Sequence, residues 1–324
     1  MISRRRLLTG FVLAWAPLGA AAQEYKAGKV YRLGLLGPGG RPPPGTSWGH
    51  LYLIEVLREL GYVEGQNLVV ERRYAEGKTD RLPGLARELV RIPVDVIVAV
   101  TATAIDAAKD ATKTIPIVMG FGGPGFVSSL ARPGGNITGV SYSAGPEIYQ
   151  KRLQLLKEAV PRAARIAGLA GRDTAQITRQ ETQKAASSLG VKLIVVEVRG
   201  AEYERAFATM VAERADALAV MSSSILNADR RRIIELAARH RLPAIYEWRE
   251  PVEEGGLMAY GASNRALYRR VASFVDRIFK GAIPAELPVE QPIVFELIIN
   301  LKTAKALGLT IPPSLLQRAD QVIE

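Results

Sequence analysis

The stretch Asp95–Thr103 reads DVIVAVTAT. An unbroken apolar run, Val96 to Val100, stops at hydroxyls on Thr101 and Thr103, and helix-forming residues follow. A short continuous apolar run of this kind is the pattern of a strand buried on both faces of a parallel sheet. In open α/β sheets, ligands sit outside the carboxyl ends of the strands. Thr101, Ala102 and Thr103 therefore stand where a small solute would lie. About 120 residues further on, Asp216–Ser224 repeats the arrangement as DALAVMSSS, with Ser222 and Ser223 in the place of the threonines.

The flanking segments repeat as well. In each half the order is strand, loop, helix ending in Leu-Gly, strand, helix, Asp-led strand, hydroxyl loop, helix and a Pro-led strand. Leu60-Gly61 matches Leu189-Gly190, and Ile115-Pro116 matches Leu242-Pro243. Alternating strands and helices with short loops predict parallel sheets covered by helices. Right-handed crossovers bring the loops after the strands to one edge of each sheet. The fold class is α/β: two Rossmann-like lobes with parallel sheets, joined by a multi-strand hinge. The tail (a strand near 256–261, a helix near 265–280 and an extended stretch to 299) starts no third unit. The chain is expected to recross between lobes. This gives an N-terminal lobe of 30–142 plus 256–286 and a C-terminal lobe of 143–255 plus 287–324.

With 324 residues, 48% apolar and 23% charged, the chain is long enough for two cores of ordinary composition. The formal charge is +11 and falls to +8 without Arg4, Arg5 and Arg6. The remaining cations are scattered along helices, with no basic stripe interleaved by aromatics, so they read as a solvated face and not a nucleic-acid site. The absence of cysteine excludes disulfides, thiolate metal sites and Cys nucleophiles. His50 and His240 are the only histidines. No metal or cofactor is expected.

Residues 1–22 have the organisation of an export leader: Arg4–Arg6, an apolar run from Leu7 to Leu18, and Ala20-Ala21-Ala22 before a cleavage point. Ser3-Arg4-Arg5-Arg6-Leu7-Leu8 resembles a twin-arginine signal, with an Arg-rich secretory leader as the alternative. The mature protein is expected in the periplasm.

The stretch Leu57–Ala75, LRELGYVEGQNLVVERRYA, with RLPGLARELV, VDVIVAVTATA, TIPIVM and SLARPGGNITG, resembles the bacterial ABC-transporter substrate-binding protein family of the periplasmic-binding protein type I fold. So do RLQLLKEAVP, RRIIELAARHRLPAIYEWREPVEEGGLMAYG and the run from Pro288 to Glu324. The resemblance covers nearly the whole mature chain. It implies two lobes closing over a ligand at a hinge and delivery to an ABC permease in the inner membrane. Some relatives are associated with amino-acid uptake, including aromatic amino acids. Three loops depart from the family's pattern. Gly122-Gly123-Pro124-Gly125 lacks the usual Gly-Asp-Pro-Val, Gly171-Arg172-Asp173 replaces Asn-Pro, and three serines follow Met221 where relatives tend to have an Asp or Pro.

Candidate ligand-binding residues follow from the strand ends. The hydroxyls of Thr101 and Thr103 either hydrogen-bond a ligand carboxylate or cap the following helix. Ser222 and Ser223 carry the same pair of readings. Gly37 and Pro38, after the first strand, allow close backbone approach, and Trp48 either walls the cleft or packs beneath it. Gly120–Gly125 formally matches G-x-G-x-x-G, but the loop follows a later strand than the first βα turn and Pro124 interrupts it, so a dinucleotide site is not indicated. Within it Phe121 is either a stacking surface or core, beside Gly122. Ser141 lies in the short strand Gly139–Tyr142 that closes the first half. Arg172 and Asp173 follow the first strand of the second. In Tyr246-Glu247-Trp248, Glu247 is the first acidic candidate for a ligand ammonium and Asp173 the next. The alternative pairs Glu247 with Arg249 or Arg172. Tyr260 lies near the expected crossover. The leading function is a monomeric solute-binding protein of an ABC importer that takes a small polar or amino-acid-like ligand. The rival is an exported α/β enzyme acting in the same cleft, for which no nucleophile–base pair is evident.

Overall fold

The computed structural model describes residues 28–41, 49–141, 145–200, 202–291 and 294–324. The leader and Trp48 lie outside the described residues.

The first lobe runs β1 (Tyr31–Gly37), α1 (His50–Glu59), β2 (Leu68–Tyr74), α2 (Leu82–Arg91), β3 (Val96–Val100), α3 (Ala102–Ala111), β4 (Ile117–Gly122) and β5 (Ile137–Ser141). Its five strands lie in the order β2-β1-β3-β4-β5, all parallel. The second lobe runs α4 (Glu147–Ala159), β6 (Arg165–Ala170), α5 (Gln176–Ser188), β7 (Lys192–Glu197), α6 (Tyr203–Ala212), β8 (Ala217–Val220), α7 (Ser224–Ala228), α8 (Arg230–Arg239), β9 (Ala244–Tyr246), α9 (Glu250–Glu253) and β10 (Met258–Ala262). Helix α10 (Asn264–Phe279) follows, then β11 (Phe295–Asn300), α11 (Leu301–Leu307), α12 (Pro313–Leu316) and β12 (Gln321–Ile323). The second sheet has seven strands in the order β12-β11-β10-β9-β8-β6-β7. The block β7-β6-β8-β9-β10 reproduces β2-β1-β3-β4-β5, so the repeat seen in the sequence is a repeat of topology.

Strand β3 is buried along its whole length. The Asp that leads it has a structural task. Asp95 accepts the backbone N–H of Arg32 at 2.7 Å, pinning β3 to the start of β1. Asp216 accepts the N–H groups of Ala164 and Arg165 at 2.8 Å each and does the same for β8 and β6. Burying apolar strands on both faces requires backbone donors at strand starts to find acceptors, and one Asp per lobe supplies them.

Strand β10, expected in the first lobe, belongs to the second sheet. It pairs parallel with β9 and antiparallel with β11. The reason is the repeat: β10 is the equivalent of β5 and completes the second unit. The return to the first lobe therefore begins with α10. This helix buries Leu267, Tyr268, Val271, Phe274, Val275 and Phe279 in the core that also holds Tyr31, Leu53 and Val98. Residues Leu287 and Val289, expected in the second lobe, also pack in first-lobe cores. There the N–H of Ser141 donates to the Glu290 carbonyl at 2.7 Å. The tail ends in β12, a three-residue strand parallel to β11. Three connections thus join the lobes: from β5 to α4, from β10 to α10, and from Glu290 to β11.

Candidate functional site

The carboxyl ends of both sheets face a cleft of about 450 Å³ between the lobes, within the range of small-molecule sites.

The first-lobe wall is aromatic. Gly37 ends β1, and a Cβ there would stand 3.0 Å from the His50 ring. Glycine at this point lets His50, the first residue of α1, close against the strand. The His50 ring stacks on Tyr74 at 5.5 Å and meets Tyr268 edge-on at 6.4 Å. Phe121 meets Tyr268 edge-on at 5.6 Å. The four rings line one side of the cleft. Burial, with Arg72 adding to it, lowers the His50 pKa to about 4, so the imidazole is neutral near pH 7. Its Nδ1 lies 3.3 Å from the Tyr74 hydroxyl. Its Nε2 is buried with no hydrogen-bond partner among the described residues.

At the edge of this wall the backbone is strained. Thr101 has φ 81° and ψ 154°, a region that is essentially glycine's own. Phe121 is also left-handed, at φ 62°. Thr101 stands at the cap position of α3, yet its side chain makes no capping hydrogen bond. Its hydroxyl lies 3.2 Å from that of Thr103. Thr101 and Ala102 line the cleft, next to the first-turn N–H groups of a ten-residue helix.

The second-lobe wall is polar. Ser223 caps α7: its Oγ accepts from Leu226 N at 3.0 Å and donates to Asp173. Asp173 also accepts the N–H groups of Ser224 at 2.8 Å and Ile225 at 3.3 Å. Gly171 permits this, since a Cβ there would collide with both the Ser223 hydroxyl and the Asp173 carboxylate. Ser222 does not cap, and its Oγ is buried without a partner among the described residues. Glu247 is held inside the second lobe, where Arg152 Nη2 donates to its Oε1 at 3.4 Å and Arg152 Nε donates to the Tyr260 carbonyl at 3.0 Å. The arginine is thus neither Arg249 nor Arg172. Arg249 pairs with Glu253 and Glu296, and Arg172 is exposed.

Residues 51–323 match the family model for ABC transporter substrate binding protein. The chain belongs to this family. A Tyrosine-binding protein of Clostridioides difficile is 25% identical over 263 residues, spanning 79% of this chain and 75% of that protein. Among solved structures, a conserved domain protein from Vibrio cholerae superposes with a TM-score of 0.81 at 26% identity, covering 91% of this chain and 100% of that one. The ABC domain in complex with L-Trp from Streptococcus pneumonia superposes with a TM-score of 0.79 at 25% identity, with the same coverage. The architecture is that of the periplasmic-binding protein type I fold, and the family's members are substrate-binding proteins that work with an ABC permease. Among the described residues, no helix is long and apolar enough to cross a membrane.

The cleft gathers most of the residues expected from the strand ends. Gly37, Pro38, Thr101, Ala102, Phe121, Asp173, Ser222, Ser223, Glu247 and Trp248 line it. Other expected residues lie elsewhere. Thr103 is exposed and Gly122 is buried in β4 against Met119 and Ile105. Ser141 is fully buried. Tyr246 lines a small apolar cavity behind the cleft with Met221 and Ile233. Tyr260 stacks on Phe295 at 6.3 Å and faces a separate cavity with Lys151 and Gln154.

Sequence reading missed His50, Tyr74, Asn227, Glu250, Asn264 and Tyr268, all of which line the cleft. Tyr74 ends β2, and a strict search of strand ends would have found it. His50, Asn264 and Glu250 are first residues of α1, α10 and α9, so a search of helix starts as well as strand ends would have added them.

Proposed function

We propose that the chain is an exported, monomeric solute-binding protein of an ABC importer that captures an aromatic amino acid between its lobes. The carrying observation is the ring wall of Tyr74, His50, Tyr268 and Phe121, with the indole of Trp248 also lining the cleft. Aromatic rings pack edge-to-face or offset-stacked at centroid separations of about 4.5–7 Å, and a ligand ring entering this wall extends a cluster already built. The named ligands of the relatives, tyrosine in one and L-Trp in the other, belong to the same class. The free N–H groups at the start of α3, flanked by the Thr101 hydroxyl, suit the ligand carboxylate. Ser222, whose hydroxyl has no partner among the described residues, offers a further polar contact from the second lobe. Capture and closure form one event, because the ligand favours the closed state only as far as it contacts both lobes.

Thermal unfolding of the purified protein against a panel of amino acids tests this reading. Aromatic amino acids at about 100 times their Kd should stabilise the fold by about 2.7 kcal/mol, while aliphatic and acidic amino acids leave it unchanged. Stabilisation by a sugar or an acidic solute, with no response to aromatic amino acids, would contradict it.

A further inference from the structure

Three acids line the cleft with their carboxylates in different circumstances. Glu247 is bonded to Arg152 and Asp173 to the start of α7. Glu250 is in no ion pair among the described residues. It is 9% exposed, and its Oε1 accepts from Asn264 Nδ2 at 3.0 Å. The remaining acceptors of the pair, Glu250 Oε2 and Asn264 Oδ1, are buried and have no partner among the described residues. The nearby guanidinium of Arg230 is already spanned by Glu254, at 3.2 Å from Nε and 2.7 Å from Nη2.

The pair also has a distinctive place in the fold. Glu250 opens α9 in the second lobe, and Asn264 opens α10, which packs in the first. Their hydrogen bond therefore crosses the hinge. Both residues, with Tyr268, line the main cleft and a small cavity behind it, so they form the partition between the two.

A buried carboxylate without a cation is costly, and buried acceptors require donors. We propose that Glu250 and Asn264 form the subsite for the ammonium group of the bound solute. A primary ammonium has three donors and a positive charge. It offers donors to both open acceptors and neutralises a buried carboxylate that has no cation partner among the described residues. Burial holds the Glu250 carboxyl above its ordinary range, while the Asn264 hydrogen bond acts in the opposite sense. That state fits a group awaiting a cation. The assignment rests on reading the cleft as an amino-acid trap, and it makes that trap selective for amines over the corresponding acids.

Calorimetric titration at pH 7 with L-tryptophan and indole-3-propionate, and with L-tyrosine and 3-(4-hydroxyphenyl)propionate, tests it. The members of each pair differ by the amine alone. The wild type should bind the amino acid about 10- to 100-fold more tightly than its deaminated analogue. Glu250→Gln and Asn264→Ala should each shrink that ratio while leaving the analogue's affinity unchanged, which also serves as a control for folding. Full discrimination in both variants, or no discrimination by the wild type, overturns the subsite and leaves the aromatic trap standing. Failure of the wild type to bind any of the four compounds overturns both readings.

Discussion

Thr101 holds a backbone conformation that costs about 1–3 kcal/mol for a non-glycine residue. Replacing it with glycine relieves the strain, although the unfolded chain gains about 0.5–1 kcal/mol of freedom. Thr101→Gly is therefore expected to stabilise the ligand-free protein by about 1 kcal/mol in urea unfolding. Loss of the hydroxyl should weaken ligand binding by about three- to tenfold. A variant that is both destabilised and unchanged in affinity would show that the strain serves packing alone. His50 gives a second test at this scale. Its folded pKa of about 4 lies below the ordinary 6.5. Between these values the unfolded chain takes up a proton that the folded chain refuses. The His50 contribution is thus complete above pH 6.5 and is lost as pH falls toward 4, by up to about 3 kcal/mol. Urea midpoints at pH 7 and pH 5 should diverge more in the wild type than in His50→Phe, and equal divergence would remove the assignment. Both residues show how legibility depends on distance along the chain. The hydroxyls after β3 were legible because a strand and its own loop are contiguous. The ring wall was not, because His50, Tyr74, Phe121 and Tyr268 come from four separated segments.

Among the elements, α4 shows why the arginine that pairs with Glu247 was not legible. Arg152 lies in the middle of α4 and reaches Glu247, 95 positions away, and both side chains are at most 5% exposed. Nothing local to Tyr246-Glu247-Trp248 announces that partner, whereas Arg249 is adjacent and pairs elsewhere. Breaking a buried ion pair by removing one member strands the other charge and costs about 3–5 kcal/mol. Glu247→Ala should therefore lower the urea midpoint strongly, while Glu247→Gln, which keeps the volume, should cost less. A midpoint unchanged in Glu247→Ala would free this carboxylate for the ligand after all. Strand β10 carries the complementary lesson. Its apolar pattern was legible, but its sheet was not, since a strand's partners follow from topology. Recognising it as the equivalent of β5 would have placed it.

Across the whole molecule, two copies of one βα unit face each other, and three connections join them. The duplication, the parallel sheets and the position of the cleft were legible because each depends on local periodicity and on the order of elements. The chemistry of the cleft was legible only in part. The hydroxyl loops come from strand ends, while Glu250 and Asn264 meet across the hinge from two helix starts. The central claim is that the space between the lobes holds an aromatic amino acid and leaves it chemically unchanged. Native mass spectrometry of the protein isolated from its own cells, followed by identification of the released solute, tests this most directly. The account predicts one intact aromatic amino acid per protein chain. A sugar, an acidic solute or a converted product in its place would contradict it.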